Sequence, residues 1–187
     1  MTRVDLDRVD ADPGGYWRAQ RDEIESALRT SDVEELRRGS YAFVMAAKAG
    51  AVRDVSSSFA FVVRKRVNVN DIDARVNTIG GIGGTLIFGS SDARSQLVDP
   101  SLVSDLTSAA TTVDRDLSEN ALLALSMVAL EWPSFLIEHP TAIDTCVEKM
   151  ASSGQRATYA ALSLANVAYY DSDAVAPYFP NFRMAMD

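Results

Sequence analysis

Two stretches of this chain, SQLVDPSLVSDLTSAAT (95–111) and SFLIEHPTAIDTCVEKM (134–150), align with one another, and their prolines, Pro100 and Pro140, stand 40 residues apart. Each is followed by an Ala/Leu-rich segment, ALLALSMVAL (121–130) and AALSLANVAY (160–169). Upstream, NTIGGIGGTLIFGSS (77–91) holds the same place, as does SYAFVMAAKAG (40–50); Ala176-Pro177 marks the start of a further unit. A period of this length, built as short helix, helix and longer helix, points to stacked repeats, because no single unit can bury its apolar face alone.

Helical punctuation supports that reading throughout. Asp32 with Glu35 forms a capping-box pattern that opens a helix carrying Leu36, Tyr41, Phe43, Val44 and Ala47 and ending at Gly50. A second helix is predicted from Val52 to Arg66, with Val55, Phe59, Val62 and Val63 inward, and a third from Asp73 to about Gly89. Asp99-Pro100 is an N-cap followed by proline at the first helical position. Asp116 or Ser118 opens the apolar helix that Pro133 bends or ends. His139-Pro140 starts another, Gly154 closes it, and RATYAALSLANVAYY is the last. Apolar residues recur every three or four positions and nowhere alternate, so the reading contains no strand. Residues 1–14, polar and ending in Asp12-Pro13-Gly14-Gly15, read as a flexible acidic tail before a repeat domain over 15–187.

These residues give the chain its resemblance to the armadillo repeat family, with the HEAT family as near neighbour. It is carried by Leu97-Val98-Asp99-Pro100, by Leu136-Ile137-Glu138-His139-Pro140, and above all by Ala161 with Leu164-Ala165-Asn166-Val167-Ala168. The last group is similar to the family's third-helix pattern of leucine, small residue, asparagine, apolar residue and alanine. The similarity is clear over about 75–180 and weak over 32–74. It implies an all-α fold, a right-handed superhelix of about four repeats whose third helices line a groove for extended peptides or partner proteins. In the peptide-binding branch an asparagine ladder along that groove holds the ligand backbone. Asn166 matches the ladder position, but Met127 and Gly84 occupy it in the two preceding repeats, and the accompanying tryptophans are missing from these helices. The resemblance therefore implies a general groove rather than a nuclear-import type of peptide site.

Charge narrows the partner. A net charge of −8 opposes broad nucleic-acid binding, which needs a basic face. Aspartate outnumbers glutamate, and fifteen arginines stand against three lysines, a balance of halophilic or GC-rich sources. No apolar run reaches the roughly 18 residues of a membrane span, and the start of the chain lacks the apolar core of a signal peptide. The single cysteine, Cys146, rules out an internal disulfide and fits a cytoplasmic setting.

Several constellations invite chemistry and are better explained without it. Gly80-Gly81-Ile82-Gly83-Gly84 lacks the preceding strand and the Lys-Ser/Thr of a phosphate loop. Gly80 and Gly84, one turn apart, suit a close helix crossing or a small-residue groove for a partner helix. The pairs Asp71/Asp73, Asp114/Asp116 and Asp171/Asp173 fall where helices begin, so capping is preferred over cation binding. His139, the only histidine, corresponds to Asp99 in the repeat and is read as a turn residue; Cys146 is assigned to the core. Arg64-Lys65-Arg66 sits at a helix C-terminus, facing the dipole and solvent, with an acidic docking partner as the functional alternative. Most of the aromatic residues, Tyr16, Trp17, Trp132, Tyr169, Tyr178, Phe179 and Phe182, are assigned to core or cap.

The expectation is therefore a non-enzymatic protein–protein interaction scaffold with no cofactor or metal. Its contact residues are Gly80, Gly84, Leu123, Met127, Glu131, Asn166 and Tyr170. The alternatives are self-assembly into a homo-oligomer through an uncapped C-terminal repeat, PYFPNFRMAMD, and a helical repeat acting on nucleic acid or a cofactor through a hidden basic groove.

Overall fold

The computed structural model describes residues 3–178, and among them every regular element is helical. The chain separates into two compact units between Val98 and Asp99.

The first unit contains α1 (Leu6–Ala11), α2 (Pro13–Arg29), α3 (Val33–Lys48), α4 (Ser57–Arg66), α5 (Ile72–Phe88) and α6 (Ser91–Leu97). Of the segment read as a flexible tail, residues 3–14 are folded here. Asp5 accepts from the Arg8 N–H to cap α1, Val4 and Val9 are buried, and Arg38 donates to the Val4 carbonyl. Asp12-Pro13 turns out to be the same N-cap-plus-proline device as Asp99-Pro100. The Asp12 carboxylate accepts from Gly15 N–H at 2.8 Å and opens α2, which kinks at Gln20. Of the two glycines that suggest a loop, Gly15 leaves room for the capping Asp12 carboxylate, which a Cβ there would meet.

The predicted helix beginning at Val52 starts later. Ser56 caps α4 through Phe59 N–H at 3.1 Å, while Val52 and Val55 are buried in the connection before it. Asp32 and Asp71 cap α3 and α5 in the same way. Asp71 also accepts from Nε and Nη2 along one edge of the Arg37 guanidinium at 2.7–3.0 Å, which ties the start of α5 to α3 and holds that carboxyl below its ordinary range.

The α3–α5 pairing explains the glycine run. A Cβ on Gly81 would fall 2.4 Å from the Phe43 ring, and one on Gly84 would fall 3.0 Å from Ala47 Cβ and 3.1 Å from the Ala47 carbonyl carbon. The close approach thus belongs to Gly81 and Gly84, with Gly80 buried beside them. Phe43 also meets Trp17 and Phe59, the latter edge-on at 5.3 Å, so the space opened by glycine is filled by an aromatic cluster.

The second unit contains α7 (Pro100–Ala110), α8 (Arg115–Glu131), α9 (Pro133–Ile137), α10 (Pro140–Met150) and α11 (Gln155–Tyr170), followed by two 3-10 turns at Ser172–Ala174 and Ala176–Tyr178. Asp114, rather than Asp116 or Ser118, opens α8, accepting from Leu117 N–H at 2.8 Å. Pro133 ends α8 and begins α9. Gly154 does not close α10, which ends at Met150; its positive φ of 73° makes it the entry to α11. The core of this unit is built from Leu102, Leu106, Leu117, Leu122, Leu125 and Val128, all fully buried, with α8 packed against both α7 and α11.

Candidate functional site

Helices α8 and α11 carry matching residues at matching spacing. Leu123, Met127, Leu130 and Glu131 on α8 correspond to Leu162, Asn166, Tyr169 and Tyr170 on α11, a spacing of four, three and one that keeps them on one helical face. Leu123, Met127 and Asn166 are half-buried, and Glu131 is exposed. Exposure is 58% at Leu130, 45% at Leu162, 95% at Tyr169 and 64% at Tyr170. Four large apolar or aromatic side chains are thus exposed at matching positions of two packed helices. Asn166 is fixed on the same face, donating through Nδ2 to the Ser126 carbonyl at 3.5 Å. Its amide nitrogen thus reaches the backbone of the neighbouring helix.

Five of the residues expected from sequence, Leu123, Met127, Glu131, Asn166 and Tyr170, therefore lie together on this pair of helices. Gly80 and Gly84 lie in the first unit and are buried against α3. Sequence reading missed Leu130, Leu162 and Tyr169. Tyr169, assigned to core or cap, is almost fully exposed; the signal available was its repeat equivalence to Leu130, one turn beyond Met127.

The other constellations are structural. Asp71, Asp114 and Asp171 each accept from a backbone N–H two or three residues on. His139 Nδ1 lies 2.8 Å from the Phe135 carbonyl in the turn before α10. Cys146 is buried, and desolvation pushes its thiol up to about 11, opposed by a hydrogen bond with Ser163. The basic cluster is not simply solvated: Arg66 donates to the carbonyls of Leu28 and Thr30, Arg64 to that of Gln96, and Lys65 lies over the Phe61 ring. Those bonds pin the end of α4 to its neighbours. Phe179, Phe182 and the rest of 179–187 lie outside the described residues. Among the described residues no helix is long and apolar enough to cross a membrane.

Helices of this order and packing define an armadillo-type helical repeat fold. The chain is similar to the crystal structure of an engineered protein from the Northeast Structural Genomics Consortium, with a TM-score of 0.79 at 19% identity, covering 95% of this chain and 77% of that one. It is similar also to a designed armadillo repeat protein in complex with the peptide (KR)4, with a TM-score of 0.72 at 15% identity, covering 91% and 77%. A third likeness is to computationally designed armadillo repeat proteins for modular peptide recognition, with a TM-score of 0.66 at 14% identity, covering 84% and 68%. No protein-family model matches the chain, and no curated protein matches it significantly.

Proposed function

We propose that the chain is a non-enzymatic protein–protein interaction module that holds an extended segment of a partner along its third helices. The α8–α11 face is the part built for contact. The observation that carries this reading is the paired, exposed stripe Leu130, Leu162, Tyr169 and Tyr170 around the anchored Asn166. Aromatic and aliphatic groups supply apolar area, and the asparagine and tyrosine supply hydrogen-bonding capacity toward a peptide backbone. The two designed armadillo proteins, one solved with a peptide and one made for peptide recognition, support the same reading. Net charge of −8 steers basic partners toward the molecule and repels acidic ones.

The test is a random-peptide display selection on the wild-type chain, with each selected sequence then measured against Met127→Glu/Asn166→Ala and Leu130→Glu. Peptides that bind wild type and lose about tenfold or more with either variant support the groove. Selected peptides indifferent to both variants sink it.

A second reading, self-assembly, is favoured by one feature. Met150, Ala161, Leu164, Ala165 and Ala168 line an apolar hollow of about 200 Å³ on α10 and α11. Light scattering on wild type and Ala165→Glu separates the two: a multimer dissolved by that substitution supports assembly, and a monomer at all concentrations removes it.

A further inference from the structure

A hollow in the first unit lies where α2 begins and the α3–α4 connection passes it, and it measures about 660 Å³. That is within the range of small-molecule sites, about 300–1,000 Å³. Three arginines line it, Arg18 and Arg21 on α2 and Arg53 on the connection, together with Trp17 and the carboxylates of Asp12 and Asp54. The kink at Gln20 sits between Arg18 and Arg21.

The chain has 26 carboxylates and 18 basic residues, so an arginine near the surface is expected to find an acid. Arg37, Arg38 and Arg29 do so. The three at this hollow form no ion pair within 4.0 Å among the described residues. Arg21 instead lies over the rings of Trp17 and Phe59, at 5.5 and 5.9 Å, with Glu25 near enough to feel its charge. Arg53 donates through Nε to the Gly50 carbonyl, at a glycine whose φ of 67° shapes the turn. The Nη1 of Arg18 lies 3.4 Å from where a Cβ on Gly14 would be, so the guanidinium folds back over the start of α2. Of the two acids, Asp12 is committed to capping α2 through Gly15 N–H. Asp54 is exposed.

We propose that this hollow binds a small phosphorylated molecule through Arg18, Arg21 and Arg53. Guanidinium forks match oxyanions through paired N–H donors. A single carboxylate presents two oxygens and one charge, which two arginines satisfy. A phosphate monoester presents three acceptor oxygens and a charge of about −1.5 to −2, which suits three arginines arriving from two chain segments. The site is independent of the α8–α11 face, since every residue lining it belongs to the first unit.

The probe is inorganic pyrophosphate, titrated into the full chain by calorimetry. Wild type is expected to bind one equivalent saturably. Arg53→Gln and Arg18→Gln each weaken binding about tenfold or more, as expected for loss of a charge-assisted pair, while Arg37→Gln, whose arginine is paired with Asp71 elsewhere, leaves it unchanged. Both pocket arginines are exposed and without ion pairs, so these variants keep the fold, and circular dichroism verifies that they do. Absence of saturable heat overturns the proposal, as does equal binding by the pocket variants. Succinate binding as tightly as pyrophosphate overturns the assignment to phosphate.

Discussion

In the first unit α5 reaches α3 through bare glycine, with Gly81 lying against the face of Phe43 and Gly84 against Ala47. In the second unit α8 and α11 pair with no glycine in either stretch 121–130 or 160–169, using Ala121, Ala124, Leu125, Ala160, Leu164 and Val167 in the buried positions. Each pairs the corresponding helices of two successive repeats. One interface joins a large ring to no side chain at all, and the other joins side chains of small and middle size. The division of side-chain volume between the two helices differs, so the repeat period survives where residue identity does not. The glycine solution also spends helix propensity, about 1 kcal/mol for each glycine, and Phe43 with its aromatic neighbours must offset that.

Removing the ring gives the largest expected effect. Phe43→Ala leaves glycine facing a void and is expected to lower stability by about 3–5 kcal/mol, measured by urea unfolding. A loss under about 1 kcal/mol would mean that the cluster with Trp17 and Phe59 closes over the gap, and that the ring is not what the glycines accommodate. Gly81→Ala comes next. Despite its better helix propensity it is expected to cost about 2–3 kcal/mol, because the added Cβ meets the ring. The mirror substitution in the other pair, Ala124→Gly, should also destabilise, by about 1 kcal/mol. Opposite replacements with the same sign are the signature of the two packing solutions. A stabilising Gly81→Ala would erase the distinction, and the double variant Gly81→Ala/Phe43→Leu should recover part of the loss if the two residues are coupled.

The repeats, the helical class and the register of Pro100 against Pro140 were legible because they rest on periodicity and on cap chemistry close in sequence. Asp32 and Asp99 were read correctly for that reason, and Asp114 was missed by two residues because Asp116 and Ser118 offer the same local chemistry. Folding of residues 3–14 was not legible: Val4 and Val9 are too few to show a period, and part of what holds them, such as Arg38 on α3, lies some thirty residues away. The glycine run was read as a close crossing, yet the choice of Gly81 over Gly80 depends on where Phe43 points. Of the candidate contact face, Met127 and Asn166 came from the repeat register. Exposure of Tyr169 depends on tertiary packing, which spacing does not fix, and the arginine hollow joins residues from 12 to 54 that share no motif.

A titratable group distinguishes α10 from the α3–α5 pair more gently. The α3 and α5 cores bury no ionisable side chain, whereas α10 buries the Cys146 thiol, pushed up to about 11 by desolvation. A folded value above the unfolded one means that the neutral thiol stabilises the protein fully below about pH 9, the ordinary thiol value. That contribution is lost as pH rises through 9 toward 11. The loss is on the order of 2 kcal/mol. It should appear as a steeper fall in stability between pH 9 and 11 for wild type than for Cys146→Ala; parallel curves would show that the thiol is not desolvated.

The smallest effect concerns caps. Asp99 and Asp114 cap α7 and α8 through their side chains, while the equivalent positions before α10 and α11, His139 and Gly154, give no side-chain cap. Gly154, at φ of 73°, has a backbone that disfavours any other residue, but His139 sits at φ of −122°, open to aspartate. His139→Asp recreates the Asp-Pro pair of the preceding repeat. It gains an N-cap bond of about 1 kcal/mol and gives up the ring's contact with the Phe135 carbonyl, so a net gain of about 0.5 kcal/mol is expected in the thermal midpoint. Asp99→Ala should cost about 1 kcal/mol in the same assay. If His139→Asp destabilises instead, the histidine holds the α9–α10 turn through its ring, and the last repeat is braced by a different device rather than left short of a cap.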